Sequence, residues 1–398
     1  MSRIIYLLFF LSVSYSLYSA DKPNILFVFL DDYGWTDNGF MGSDFYETPH
    51  LDKLASQAMV FTDAYSSSAN CAPARASLLS GQYTPRHEVF NVGTGPRGNA
   101  KYRKLKHIPG TSTLRPDIIT WAKALKDAGY KTATMGKWHL SKDPIPYGFD
   151  INIGGSTAGG PTQGYFTPHG KLPGLQDAPK GEYVTDTLSN KAIDFIKENK
   201  DRPWMLYLTH FAVHTPIQAK KDDIAYFDKK KKGKHHYHST MAGMIKSVDD
   251  GVGRIVKTLD ELKLTEKTIV ILFSDNGGYG PATSMKPLLG YKGTYYEGGI
   301  RVPFFVKWPG VVKPGKTDVP MIGVDIYPTF LEMTGAKKPD QPLDGVSLVP
   351  LLKGDVKKLD RKAIFWHFPA YLQSYSRNNE QPDPLFRARP CGVIRSGD

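Results

Sequence analysis

Four apolar runs in this chain each end abruptly at ionisable or polar residues, and no other feature constrains the fold as strongly. Each run is short, largely uncharged and rich in aliphatic and aromatic side chains. Continuous apolar runs of this length are typical of β-strands that are buried on both faces of a parallel sheet. The runs cover residues 23–30, 130–135, 204–211 and 268–273.

Patterns typical of amphipathic helices lie between these runs. They cover residues 51–61, 117–128, 183–198 and about 239–262. A further strand is predicted at 302–308, and a further helix from Val324 to about Gly335. Strands that alternate with helices of this length predict an α/β fold with a mostly parallel central sheet and helices on both faces.

The polar residues that follow the four runs are expected to meet at one place. In an open parallel sheet, ligands bind outside the carboxyl ends of the strands. The sequence therefore predicts one site at that edge of the sheet. Its candidate residues are Asp31 and Asp32, Lys137 and His139, His214, and Asp275 and Asn276.

Two of these strand ends supply only oxygen ligands. Asp31, Asp32, Asp275 and Asn276 suit a hard cation such as calcium or magnesium better than zinc. Without a cation, two adjacent carboxylates that face one pocket would repel each other, and one would tend to stay protonated. The alternative is a pair of solvated acids at the start of a loop, and the matching Asp-Asn pair favours the metal site.

Residues 71–75 read Cys-Ala-Pro-Ala-Arg and precede an apolar helical run. Because Gly81 offers a left-handed stop, Cys71 is predicted at or near a helix N-terminus. Such a position attracts anions, and Arg75, four residues on, projects on the same face. The alternatives are a small buried cysteine before an ordinary helix, and a disulfide with Cys391. The segment alone does not decide between them.

The same segment, with the Ser-Leu-Leu-Ser-Gly that follows at 77–81, resembles the signature of the type I, formylglycine-dependent sulfatases of the alkaline-phosphatase-like superfamily. The Cys, Pro and Arg of the signature are kept, and Ala74 stands where many members carry serine. Residues 290–294 and 297–303 are also similar to family motifs. The likeness extends from Pro23 to Leu352.

This resemblance implies a sulfuric ester hydrolase in which Cys71 is oxidised to formylglycine, whose hydrate is the nucleophile. A formylglycine-generating or anaerobic maturation enzyme would be a partner. It also implies one bound Ca²⁺, with Mg²⁺ as the second choice, at the four oxygen ligands. Residues 148–150 and 212–214 look like those of bacterial sulfatases that trim sulfated polysaccharides, so a sulfated carbohydrate is the expected substrate. Galactose or N-acetylgalactosamine sulfates are the first candidates.

The resemblance also assigns roles to the basic residues. Lys137 would bind sulfate, and His139 would help to deprotonate the hydrated aldehyde. His214 would contact the ester and protonate the departing sugar oxygen. Lys292 would stabilise that oxygen, and Arg75 would offset charge on the sulfuryl group.

Composition agrees with a large globular enzyme. The chain has 398 residues, of which 40% are hydrophobic, so it can bury a sizeable core. Its net charge of +12 suits sulfated polysaccharide and nucleic acid equally. The resemblance selects the carbohydrate and no nucleic acid. The basic run at 229–238 is either a solvated loop or a rim that gathers acidic substrate.

The ends of the chain carry different signals from its centre. Residues 1–20 resemble a secretory signal peptide whose apolar part is too short for a membrane span, which predicts a secreted or periplasmic protein. We expect the catalytic domain at 21–355. Strand-like runs at 363–367 and 391–395 predict the start of a small, truncated antiparallel subdomain at 356–398.

Two other functions fit the same sequence. A phosphate or phosphonate monoester hydrolase of the wider superfamily would share the fold and, in some members, the cysteine motif. A non-catalytic polysaccharide-binding homologue would keep the basic charge and lose the modified cysteine.

Overall fold

A twisted eight-stranded sheet forms the centre of the computed structural model, which describes residues 22–375 and 383–397. The strands are β1 (Asn24–Leu30), β2 (Met59–Phe61), β3 (Ala64–Tyr65), β4 (Lys131–Gly136), β5 (Ile151–Ile153), β6 (Trp204–Thr209), β7 (Thr268–Ser274), β8 (Phe304–Lys307), β9 (Gly315–Thr317), β10 (Met321–Ile322), β11 (Ile364–Phe368), β12 (Leu372–Gln373), β13 (Phe386–Ala388) and β14 (Cys391–Arg395). The central sheet has the order β5-β4-β6-β1-β7-β8-β2-β9.

The helices lie between these strands. They are α1 (Pro49–Ala55), α2 (Cys71–Ser80), α3 (Thr84–His87), α4 (Trp121–Asp127), α5 (Val184–Glu198), α6 (Lys221–Lys229), α7 (Ser239–Glu261), α8 (Glu297–Ile300), α9 (Ile326–Thr334) and α10 (Val349–Lys353). Within the central sheet only β8 runs antiparallel to its neighbours β7 and β2. The predicted α/β fold with a mostly parallel sheet is confirmed.

Strand β1 divides the hydrophobic core into two layers. Alternate side chains of a strand point to opposite faces, and all seven residues of β1 are buried. Leu26 and Val28 pack towards α1, α5 and α7 on one face. Ile25 and Phe27 pack towards α2, α4 and α9 on the other. This double coverage explains why the run is apolar without interruption.

One predicted helix is wrong in its second half. Helix α1 ends at Ala55, and Met59–Phe61 form β2, which pairs with both β8 and β9. Val60 and Phe61 are buried there. Apolar residues in this short stretch fit either a helix face or a buried strand, and pairing within the sheet decides the outcome.

Helix α2 begins at Cys71, as the motif predicted, and every residue in it is buried. It ends at Ser80, and the φ of +68° at the following Gly81 is the left-handed conformation expected of a helix stop. Cys71 and Cys391 are both free thiols, so the disulfide alternative is excluded.

Small antiparallel sheets follow the central sheet, as predicted. Strand β11 pairs with β14, and β12 pairs with β13. Trp366 of β11 is buried, and its indole N–H donates to the Ser66 carbonyl at 2.8 Å, which ties this region to the segment before α2. The predicted signal peptide, 1–20, lies outside the described residues. Within the described ranges no helix has the length and apolar character to cross a membrane.

The basic run at 229–238 is partly buried and partly exposed. His236 is buried, and its ring contacts the Asp44 carboxylate at 3.1 Å and the Ser284 carbonyl at 3.1 Å. Lys230 pairs with Glu47 at 2.7 Å. Lys234 and Tyr237 are exposed. The run is therefore a loop that is anchored at His236.

Strand β4 ends in close contact with β6, and this contact gives the first prediction. Gly136 has φ +115°, and a Cβ added there would lie 1.9 Å from the Thr209 carbonyl oxygen. Gly136→Ala should lower the free energy of unfolding by more than about 3 kcal/mol, because a backbone clash adds to a left-handed cost of about 1–2 kcal/mol.

Gly129→Ala is the matched control. Its φ is +88°, and no atom of the described residues lies within 4 Å of the added Cβ. The free energy of unfolding should therefore fall only by the cost of the left-handed conformation. Urea unfolding measures both variants. Equal losses would contradict the close approach of β4 and β6.

Candidate active site

The carboxyl ends of β1 and β7 bring four oxygen-bearing side chains together. Asp31, Asp32, Asp275 and Asn276 are all fully buried. The Asp32 N–H donates to Asp275 Oδ1 at 3.1 Å, and Asn276 Nδ2 donates to Asp32 Oδ1 at 2.8 Å. Asn276 Oδ1 is buried without a hydrogen-bond partner among the described residues. Buried carboxylates together with an amide oxygen that lacks another partner are ligands of the kind that a hard cation prefers.

The thiol of Cys71 lies against the paired aspartates. Its Sγ is 3.5 Å from Asp31 Oδ1 and 3.8 Å from Asp32 Oδ1. Burial raises the pKa of this thiol, but the ammonium groups of Lys137 and Lys292 outweigh that effect and lower it to about 7. Residue 71 therefore faces the acidic cluster at the N-terminus of α2.

Arg75 connects α2 to three strand ends. Its Nη2 and Nε lie 2.8 and 3.1 Å from Asp275 Oδ2. Its Nη1 donates to the Lys137 carbonyl at 2.9 Å and to Thr209 Oγ1 at 2.6 Å. Since these N–H groups already have protein acceptors, the direct effect of Arg75 is to position Asp275 and the ends of β4 and β6.

Two lysines balance the adjacent aspartates. Lys137 Nζ lies 2.6 Å from Asp31 Oδ2, and Lys292 Nζ lies 2.7 Å from Asp32 Oδ2. Burial raises the pKa of Asp31, with Lys137 opposing it. Burial acts in the same direction on Asp32, but Lys292, His214 and Lys137 prevail and hold its pKa below the usual value. The adjacent carboxylates thus need nearby positive charge.

Asp275 shows the same need. Burial, followed by repulsion from Asp31, raises its pKa to about 6 despite the attraction of Arg75. A carboxyl group that is fully buried beside two others binds a proton more readily than one in water. A divalent cation at this point would favour the ionised form.

The structure places His139 near the site through a left-handed backbone. In an extended chain Lys137 and His139, two residues apart, would point to the same side, but β4 ends at Gly136 and His139 has φ +65°. Its N–H donates to the Ser156 carbonyl at 2.9 Å, and its ring lies against Gly159. Burial, followed by the charges of Lys137, lowers the pKa of His139. Its Nδ1 has no partner within the described ranges.

His214 reaches the acidic cluster from the end of β6. Its Nδ1 lies 2.8 Å from the Thr215 carbonyl, which leaves Nε2 facing Asp32 Oδ2 at 3.8 Å. Burial and the two lysines lower the pKa of His214, but Asp31 and Asp32 outweigh them, and the net shift is upward.

Several residues at the site were not found from the sequence. Thr209 looked like an interior strand residue, and only its bond to Arg75 reveals its position. Tyr375 and Arg387 lie beside Lys292 but come from a polar stretch without a motif. No pattern in the sequence distinguishes these residues from ordinary ones.

The buried ion pair of Arg75 gives the second prediction. Arg75→Met should leave Asp275 buried without its main partner and cost about 3–5 kcal/mol of stability in metal-depleted protein. Arg86→Met is the matched control, because Arg86 also pairs with an aspartate, Asp344, at 2.8 Å, but half of its side chain is exposed. That pair should be worth about 0–1 kcal/mol. Urea unfolding of both variants measures the difference, and similar losses would contradict the buried network.

Comparisons with known proteins agree with these observations. Residues 23–336 match the model of the Sulfatase family. A sulfatase of Formosa agariphila is 33% identical over 88% of this chain and 76% of its own length. Human N-acetylgalactosamine-6-sulfatase is 30% identical over 87% of this chain and 69% of its own.

A solved structure is similar over the same region. Ps i-CgsB, crystallised in complex with k-i-k-neocarrahexaose, superimposes with a TM-score of 0.71 and 32% identity over 87% of this chain and 80% of its own. The family match covers the strand ends, helix α2 and Lys292. This chain therefore belongs to the sulfatase family and is a sulfuric ester hydrolase, as the resemblance in its motifs predicted.

Proposed function

We propose that this enzyme hydrolyses sulfate esters of carbohydrates with a formylglycine made from Cys71 and one bound Ca²⁺. The observation that supports the proposal most directly is the distance of 3.5 Å between Cys71 Sγ and Asp31 Oδ1, with Asp32 Oδ1 at 3.8 Å. A thiol at this distance from buried carboxylates lies where a nucleophile next to a cation would lie.

The four oxygen-bearing side chains fit the proposed cation. Asp31, Asp32 and Asp275 supply carboxylates, and Asn276 supplies the amide oxygen that has no other partner in the described part of the chain. Ca²⁺ accepts such a mixed oxygen set with flexible geometry, whereas Mg²⁺ demands near-octahedral ligands and keeps more water. When bound, the ion would offset negative charge on the reacting oxygens.

In the mature enzyme, the Cys71 sulfur would be replaced by the oxygens of formylglycine hydrate. This group supplies one hydroxyl to attack sulfur and a second whose deprotonation releases sulfate. Serine has only one hydroxyl, so a sulfated serine could not release sulfate in this way. Since residue 71 opens α2, the positive end of the helix dipole also favours an anion beside it.

The basic residues of the chain divide the remaining work. Lys137 and Lys292 approach Asp31 and Asp32 from different elements. We assign both ammonium groups the role of offsetting charge on the sulfuryl oxygens. His214 presents Nε2 to the site, because Nδ1 is held by the Thr215 carbonyl, and we assign it proton donation to the leaving sugar oxygen. His139 is assigned proton removal at residue 71.

Similarity to known enzymes supports a carbohydrate substrate. One relative is named for N-acetylgalactosamine 6-sulfate, and one structural neighbour binds a neocarrahexaose. The net charge of +12 favours a polyanion. We therefore keep a sulfated polysaccharide or its fragments as the substrate, with secretion or the periplasm as the location. Residues 21–355 are proposed as the catalytic domain.

A phosphate or phosphonate monoesterase remains the second candidate, because the fold is shared across the superfamily. Paired assays with an aryl sulfate and the matching aryl phosphate distinguish the two. A higher kcat/KM for the phosphate would reverse the assignment.

The role of residue 71 gives the third prediction. Cys71→Ser should undergo at most one turnover, because the serine would stay sulfated. Cys391→Ser is the matched control and should keep full activity, since Cys391 lies in β14 and packs against the apolar cluster that contains Phe368. Aryl sulfate hydrolysis and intact-mass analysis measure both. Multiple turnover by Cys71→Ser at the wild-type rate would refute the proposal.

The cation gives the fourth prediction. Chelation should abolish activity, and Ca²⁺ should restore it more fully than Mg²⁺. At a hundred times its Kd, free Ca²⁺ should raise the free energy of unfolding by about 2.7 kcal/mol. Thermal melts and metal content are the readouts, and full activity of metal-free protein would contradict the site.

A further inference from the structure

A strongly basic loop lies beside the C-terminal strands. Between Glu88 and Asp117 the sequence has no acidic residue, and its cations are Arg97, Lys101, Arg103, Lys104, Lys106 and Arg115. The Arg97 N–H donates to the Tyr371 carbonyl at 3.4 Å, and Arg389 Nη1 donates to the Tyr102 carbonyl at 3.2 Å. The loop is therefore held against Tyr371 and Arg389, which flank β12 and β13.

Arg387, in β13, points from these strands towards the candidate active site. It is buried, and its guanidinium lies 3.7 Å from the ring centroid of Tyr375. Its Nε donates to the Gln373 carbonyl at 2.9 Å, and its Nη1 donates to the Lys292 carbonyl at 3.3 Å. No carboxylate of the described residues pairs with it. A buried guanidinium that is held only by carbonyls and a ring keeps its full charge available for a ligand.

Arg97 brings a second guanidinium to the same place. It is half-buried, and its Nη2 donates to the Val92 carbonyl at 2.5 Å. The neighbouring Gly98 lies against the ring of Phe386, the residue before Arg387, because a Cβ added at Gly98 would lie 2.6 Å from that ring. Repulsion from Arg387, after burial, also lowers the pKa of Arg97. Arg97 also has no carboxylate partner in the part of the chain that the structure describes. Like charges repel each other, and an anion bound between these two guanidinium groups would offset that repulsion.

Tyr375 connects this arginine pair to the catalytic residues. Its ring stacks on that of Tyr291, with centroids 5.8 Å apart, and Tyr291 directly precedes Lys292. Arg387 contacts both the Tyr375 ring and the Lys292 carbonyl. The arginine pair therefore lies beside the loop that carries Lys292.

We propose that Arg97 and Arg387 bind a second anionic group of the substrate, carried by the sugar next to the one that loses its sulfate. The group is an oxyanion, either a sulfate ester or a carboxylate, because planar guanidinium groups match both. The inference rests on the proposed carbohydrate sulfatase function and narrows it. The substrate is then an acidic oligosaccharide with at least two charged groups, rather than an isolated monosulfated sugar.

The test compares three disaccharides built on the same sulfated N-acetylgalactosamine. The neighbouring sugar carries no charge, a second sulfate or a carboxylate. For saccharides that are hydrolysed, the values of kcat/KM are compared. For a saccharide that is not hydrolysed, the inhibition constant against aryl sulfate hydrolysis is compared instead. Each doubly charged saccharide thus gives a ratio to the singly charged one. Wild-type enzyme should favour a doubly charged saccharide about tenfold or more over the singly charged one. The two charged arms tell which oxyanion is recognised.

Variants separate the arginine pair from general charge. Arg97→Gln should reduce the preference for the doubly charged saccharide about tenfold, whereas Lys101→Gln, which removes one exposed charge from the same loop, should leave the preference intact. Arg387→Gln should act like Arg97→Gln, and a thermal melt confirms that each variant is folded. If wild-type enzyme did not distinguish the doubly charged saccharides from the singly charged one, the inference would be overturned. An unchanged preference in folded Arg97→Gln would overturn it as well. Failure of the proposed function is distinguishable, because aryl sulfate would then not be hydrolysed either.

Discussion

The fully buried charge cluster at the carboxyl ends of β1 and β7 is the interaction on which the rest of this structure depends. Three aspartates and one asparagine have no contact with solvent, and each carboxylate has a cationic partner from another element. Arg75 comes from α2, Lys137 from the end of β4 and Lys292 from a loop after β7. Charges this deep are tolerated only when they are paired, so the elements that supply the partners are fixed relative to one another.

Much of this arrangement was predictable because a parallel sheet has one carboxyl edge. Once the four apolar runs were recognised as parallel strands, Asp31, His214 and Asp275 had to meet there whatever their separation in sequence. The start of α2 at Cys71 followed from local signals and the left-handed Gly81. Helix α1 shows the limit of such signals, since Met59–Phe61 fit two periodicities and only pairing with β8 and β9 made them a strand.

The features that sequence patterns missed depend on contacts between distant segments. His139 reaches the site through a left-handed backbone conformation, which the residue type at that position does not predict. Thr209 matters because Arg75 happens to reach it. Arg97 and Arg387 are separated by most of the chain and approach each other only where the basic loop meets β12 and β13. The role of a single residue outside any motif can be inferred only from its tertiary contacts.

The burial of helix α2 also bears on how this enzyme would be made. Cys71 is 1% exposed, and its helix is covered from end to end by the sheet and its neighbours. A partner enzyme that oxidised this thiol, as we propose, would have to reach it before helix α2 is covered. The conversion would therefore precede folding, and a newly made chain that collapses too early would be locked into an inert form.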